Sequence, residues 1–190
     1  MIAAVIPLKR LSDAKSRLAG RLTGAERMQL ARSLLERTVM ALHESSVVDR
    51  VALVTPEPAL AGELGLVGLP DRGGLNASLE EGARWARTTH ADALLVLPAD
   101  LPLLTGDDIR AVVGRLTGGA RVVVAPTRDG GTGALLVAPP GTLPFAFGPG
   151  SFDRHCTLAR QRGLAVAEIR REGLALDLDT AADLEAAGYA

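Results

Sequence analysis

Apolar residues along this chain fall into two kinds of run. Three short uninterrupted blocks, residues 2–6, 51–55 and 93–97, predict strands buried on both faces. Residues 25–43 instead space their apolar positions at helical intervals (Met28, Leu30, Ala31, Leu34, Leu35, Thr38, Val39, Leu42), which predicts a long amphipathic helix. A second helix is expected over 77–89, entered through Gly73-Gly74-Leu75-Asn76. Thr105 is placed to cap a third, running through Leu116 with Asp107 and Asp108 in its first turn. Residues 121–125 and 134–137 read as strands around a turn-rich segment, and Ser151 as the cap of a helix to about Arg162. Residues 165–169 and 174–178 read as extended, and Thr180 as the cap of a last short helix.

Strands that are apolar throughout and alternate with helices imply an α/β three-layer sandwich around a mostly parallel sheet. The 121–137 region and the tail are expected to add antiparallel strands and make the sheet mixed. No repeat, low-complexity tract or linker interrupts the pattern, so residues 1–190 are expected to form a single domain. Ligands of such sheets bind beyond the carboxyl ends of the strands, where functional residues should therefore lie.

The 190 residues carry a net charge of −1, without the basic excess of a nonspecific nucleic-acid binder. Cys156 is the single cysteine, which excludes an internal disulfide and a cysteine zinc cluster. The longest apolar stretch, 93–104, is broken by Pro98 and Asp100 and falls short of the ~20 residues of a membrane span. With no leader-like segment at the start, the chain is expected to be soluble and cytoplasmic, with no membrane partner. The two lysines, Lys9 and Lys15, lie six residues apart in a chain whose other 19 cations are arginine. That placement suggests a need for a compact ammonium group.

Those lysines, with Arg10 and Arg17, follow the first strand and suit a triphosphate, although a solvated turn has the same composition. Neither a G-x-x-x-x-G-K-[ST] nor a G-x-G-x-x-G motif is present. Asp100 lies within an apolar run directly after the third strand, where a divalent cation or a salt bridge would compensate it. Asp177 and Asp179, two apart in an extended segment, face the same side. With Asp100 they make a candidate three-carboxylate Mg²⁺ site, while Asp179 also fits the start of the last helix. Two glycine-rich turns, 129–134 and 147–152, carry the hydroxyls of Thr132 and Ser151; the second opens a helix, a favourable place for an anion. Near Gly74, Asn76 can both donate and accept, which fits either a nucleobase edge or a helix cap. His43, His90 and His155 show no metal-ligand spacing, and Cys156 has no activating pair beyond the adjacent His155.

Six blocks in order resemble the 2-phospho-L-lactate guanylyltransferase family, which includes the phosphoenolpyruvate guanylyltransferases of coenzyme F-420 biosynthesis. They are Ile6-Pro7-Leu8-Lys9 with Ala14-Lys15-Ser16-Arg17-Leu18; Gly74-Leu75-Asn76; Pro98-Ala99-Asp100-Leu101-Pro102; Gly131-Thr132 before Ala134-Leu135-Leu136; Phe147-Gly148-Pro149-Gly150-Ser151-Phe152 with Arg154-His155; and Asp177-Leu178-Asp179-Thr180. The resemblance implies a nucleotidyltransferase fold of the glycosyltransferase-A type. It also implies a reaction in which GTP and a phosphorylated three-carbon acid give a guanylylated acid and pyrophosphate. By position, Thr132, Gly148 and Ser151 would hold the acid, and Asp100, Asp177 and Asp179 would hold Mg²⁺. Lys9 and Lys15 would act on the GTP phosphates, and Gly74 and Asn76 would lie near guanine. Many members carry Asn where this chain has Gly133. Implied partners are GTP and the acid; a homodimer and hand-over to the transferase that consumes the product are further expectations.

Rival readings are a nucleotidyltransferase acting on a molybdopterin or sugar phosphate, and a noncatalytic GTP-binding module. Against the first, Leu8-Lys9-Arg10-Leu11-Ser12 lacks the glycines such enzymes carry after strand one. Against the second, pure binding has less need of three carboxylates. Phosphoenolpyruvate, 2-phospho-L-lactate and 3-phospho-D-glycerate all stay open as the acid. The Arg- and Ala-rich composition, pointing to a GC-rich bacterial source, favours the first.

Overall fold

The structure, a computed structural model, describes residues 1–189. Its seven strands are β1 (Ile2–Pro7), β2 (Arg50–Thr55), β3 (Val67–Pro70), β4 (Ala93–Val96), β5 (Val122–Pro126), β6 (Thr132–Val137) and β7 (Val166–Glu168). They form one sheet in the order β3-β2-β1-β4-β6-β5-β7. All pairings are parallel except those of β6, which runs against both β4 and β5. The mixed, mostly parallel sheet expected from the sequence is therefore present.

Alternation along the strands explains why both faces are covered. Ala4 and Ile6 of β1 enter one apolar cluster with Leu35, Val39 and Leu42, while Ala3 and Val5 enter another with Leu79, Ala83 and Ala86. Helices α1 (Gly24–Ser45) and, after α2 (Pro58–Glu63) and α3 (Leu75–Thr88), α4 (Gly106–Gly114) supply the first face. Helices α3 and α5 (Ser151–Gln161) cover the second. Each fully buried leucine contributes roughly 1.5–3 kcal/mol of apolar transfer. Thr23 and Thr105 cap α1 and α4 through capping boxes with Glu26 and Asp108.

The chain ends in two short helices, α6 (Glu172–Ala175) and α7 (Ala181–Ala186), the latter capped by Thr180 as expected. Three local expectations need correction. Residues 174–178 do not form a strand: a helical turn occupies 172–175 and an irregular segment follows. The tail strand β7 pairs parallel with β5, so β6 alone makes the sheet mixed. Ser151 is the first helical residue of α5 rather than its cap, a place taken by Gly150 in the left-handed region, because the serine hydroxyl bonds to Thr132. The sequence pattern predicts neither strand β3 nor helix α2; β3 is short and largely exposed, so its sequence lacks a buried-strand pattern.

Among the described residues no helix is long and apolar enough to cross a membrane.

Candidate active site

The strand order changes direction at β1, which lies between β2 and β4, and ligands of such sheets bind beyond the carboxyl ends of the strands at that point. The chain leaving β1 makes two 3₁₀ turns, Leu11–Asp13 and Ser16–Leu18, with Lys15 between them at φ 54°. Lys15 is thereby turned inward. Its side chain is 7% exposed, and Nζ donates to Asp100 Oδ2 at 3.0 Å and Asp179 Oδ1 at 3.1 Å. Asp100 sits just past β4, and its carbonyl accepts the Leu178 N–H at 3.0 Å. Arg17 reaches the other oxygen of Asp179 at 3.4 Å.

A small separate cluster holds these segments together. Leu18, Leu34 and Leu178 are buried against one another, with Leu22, Leu30 and Leu184 around them. Leu176 and Leu178 are buried while Asp177 and Asp179 are partly exposed, the alternation that puts both carboxylates on one side. Burial pushes the Asp177 carboxyl up to about 6, with the negative charges of Asp129, Asp100 and Asp179 adding to it. Asp129, in the glycine-rich turn before Thr132, thus acts on Asp177 through its charge.

The second part of the site is built on the reversed strand. Thr132 opens β6, so its hydroxyl lies on the edge where the parallel strands end. Thr132 Oγ1 lies 2.7 Å from Ser151 Oγ and 3.1 Å from His155 Nδ1, and all three residues are buried. The loop before α5 is tied down from three sides. His155 Nε2 accepts the Ala146 N–H at 3.0 Å, Arg154 donates to the carbonyls of Ala146 and Pro149, and Asn76 brackets Phe147. Gly148 has φ 126°, a conformation L side chains rarely adopt. The turn before Thr132 links the two parts: Asp129 accepts the Gly131 N–H, and Gly130 accepts the N–H of Phe152.

Asn76 lies inside α3 and is not its cap. Its Nδ2 donates to the Phe147 carbonyl at 3.2 Å, and its Oδ1 accepts the Phe147 N–H at 2.8 Å. Gly74 holds the cap position with open space about its Cα. Lys9 is exposed and has no ion-pair partner among the described residues. His155, which the sequence placed only near a functional loop, is a buried member of the hydroxyl group. Two surface depressions lie elsewhere, one lined by Met1, Asp92 and Arg121, the other by Arg115, Arg170 and Arg171.

As the side chains stand, no three His, Cys, Asp or Glu groups converge as a metal cluster among the described residues. The donors nevertheless fit a divalent cation. A buried ammonium already bridges Asp100 and Asp179, and Asp177, raised first by burial and then by the charges of Asp129, Asp100 and Asp179, is a further oxygen donor beside them.

A seven-stranded sheet with one reversed strand and this carboxylate-bearing edge defines a nucleotidyltransferase-type α/β domain. A nucleotidyl transferase from Methanothermobacter thermautotroptrophicus shares the fold, with a TM-score of 0.70 at 18% identity over 100% of this chain and 97% of that one. The chain belongs to the family described as guanylyl transferase CofC-like, whose sequence model matches residues 2–187. It is similar to the phosphoenolpyruvate guanylyltransferase of Sphaerobacter thermophilus, with 47% identity covering 98% of this chain and 93% of that protein. The enzyme of the same name from Rubrobacter xylanophilus is 45% identical, covering 96% and 91%.

Proposed function

We propose that this chain moves GMP from GTP onto the phosphate of phosphoenolpyruvate and releases pyrophosphate, with Mg²⁺ as cofactor. The observation that carries the reading is the Lys15 ammonium held between Asp100 and Asp179, on the same edge as the buried Thr132–Ser151 hydroxyl pair. One end of that edge suits a polyphosphate with its cation, and the other suits a small anion.

In the reaction a phosphate oxygen of the acid forms a bond to the α-phosphorus of GTP. The bond from that phosphorus to the bridging oxygen breaks, and its electron pair leaves with pyrophosphate. The attacking oxygen is already ionised near neutral pH, so no general base is needed, and the chain's contribution is positioning and charge stabilisation. Thr132, Ser151 and the Gly148 loop hold the acid. Asp100 and Asp179, with Asp177, would hold Mg²⁺, which would offset the repulsion between two anionic reactants. Lys15, freed toward the phosphates, and the exposed Lys9 stabilise charge on the departing pyrophosphate. Gly74 leaves room for the nucleotide to approach α3. The product, a mixed anhydride of GMP and the acid's phosphate, is suited to hand-over to a transferase that displaces GMP.

Pyrophosphate release tests the reading, with Mg²⁺ and GTP and each of phosphoenolpyruvate, 2-phospho-L-lactate and 3-phospho-D-glycerate, and with ATP and CTP as controls. Release that requires GTP and phosphoenolpyruvate is expected. Release with another acid would correct the substrate, and tight GTP binding without release would favour a sensing role.

A further inference from the structure

His155 takes no part in the chemistry above, yet it is fully buried and both ring nitrogens are engaged. The Ala146 N–H points at Nε2 at 3.0 Å, so Nε2 must keep its lone pair. The ring is neutral, since burial, with Arg154 adjacent, brings its pKa down to about 4. A neutral ring without a proton on Nε2 carries it on Nδ1, which then donates to Thr132 Oγ1.

This direction determines what the hydroxyl pair offers. Thr132 and Ser151 bring two hydroxyl protons, and one is used in the 2.7 Å bond between them. Because His155 supplies a proton to the pair and accepts none from it, the other hydroxyl proton is left to donate outward. With the opposite tautomer Thr132 would donate to the ring, and the pair would have no outward donor.

We propose that His155 is a positioning residue: held as its Nδ1–H tautomer by the Ala146 N–H, it makes the Thr132–Ser151 pair a one-proton donor and so selects an anionic, acceptor-only oxygen of the acid substrate. This deepens the reading of Thr132 and Ser151 as the acid site and rests on it. His155 works through Thr132 and touches no substrate itself.

Two measurements test the proposal separately from that reading. Long-range ¹H–¹⁵N NMR of the wild-type protein at pH 7.5 reports the tautomer without any reaction. A protonated Nδ1 is expected, and a protonated Nε2 overturns the proposal whatever the enzyme does. Kinetics then follow, once GTP-dependent pyrophosphate release by the wild type has been established with its acid; no release with any acid would mean that the acid-site reading had failed first. His155→Gln, which loses the donor to Thr132, should raise KM for the acid by about tenfold, the scale of one hydrogen bond to a charged group, and leave KM for GTP unchanged. His155→Asn places an amide N–H where Nδ1–H stood and should stay within about threefold of wild type. In a double-mutant cycle, adding His155→Gln to Thr132→Val should change KM for the acid little further. Fully additive effects, or equal rises in both KM values, would mean that His155 only packs the loop.

Discussion

The Lys15 ammonium rests 3.0 Å from Asp100 Oδ2 although 85 residues separate them in sequence. Asp179 grips the same ammonium from the other side at 3.1 Å. Replacing Lys15 by Met keeps the length of the side chain and removes its charge, leaving Asp100, Asp177 and Asp179 to repel one another. Guanylyl transfer by Lys15→Met should fall by at least ~10²-fold, the scale of one lost electrostatic stabiliser, and Asp100→Asn should do the same. Pyrophosphate release measures both; near-normal turnover in either would remove that residue from the chemistry.

Leu178 acts on the same group from beneath. It is fully buried with Leu18 and Leu34, and it lies between the two tail carboxylates. Leu178→Ala should cost about 2–5 kcal/mol in urea unfolding and also depress turnover at saturating GTP. A stability loss with unchanged turnover would show that the cluster does not hold the carboxylates.

Gly133 has a steric reason for being glycine. A Cβ there would overlap the Leu174 carbonyl oxygen, and one at Gly173 would overlap the Asp108 carboxylate. The helical turn α6 is thus wedged between the start of β6 and the start of α4, where Arg171 pairs with Asp108 at 2.8 Å. Gly133→Ala should destabilise by about 1–3 kcal/mol and move the segment bearing Asp177 and Asp179. Denaturant unfolding, with turnover measured in parallel, checks both effects.

Asn76 distinguishes two accounts of one residue. Its amide is occupied by the Phe147 backbone. Asn76→Ala should therefore loosen the Gly148 loop and raise KM for the acid more than KM for GTP. A rise confined to GTP, or lost discrimination against ATP, would return Asn76 to the guanine site.

Buried neutral His155 also sets a pH dependence. Its pKa falls from 6.5 to about 4 on folding, so between those values the unfolded chain binds more protons than the folded one. The stability that goes with the neutral ring is intact above about pH 6.5, declines as pH falls, and is gone near pH 4. The loss attributable to this group is on the order of 3 kcal/mol. Urea unfolding of wild type and His155→Gln should converge over that range; curves that stay parallel would contradict a buried neutral ring.

Much of this was legible in the sequence because the central strands are buried on both faces and read as apolar blocks, and because Thr105 and Thr180 announce their helices. Lys9 and Lys15 follow β1, Gly74 and Asn76 follow β3, Asp100 follows β4 and Thr132 opens β6, positions that the topology puts at one edge. What could not be read depends on contacts across the chain. Nothing near Asp129 in sequence indicates that its charge acts on Asp177. Nothing about Asn76 indicates that Phe147 will occupy its amide. The 174–178 stretch alternates like a strand, but the close seat that Gly133 and Gly173 give to α6 bends its first half into a helical turn.

Strand β6 runs against its neighbours, and this divides the work of the edge. Thr132 pairs with Pro126 of β5 just past the end of β4 and is buried with Ser151 and His155, so the half proposed for the acid is packed in place. Lys15 and Asp179 sit on segments fastened by a few leucines, so the half proposed for the triphosphate rests on loops rather than on the sheet. A small rigid reactant is thus offered a mould and a long flexible one a hinge. Exchanging one acid for another should require rebuilding the sheet's border, whereas adjusting to the nucleotide needs only the loops to move.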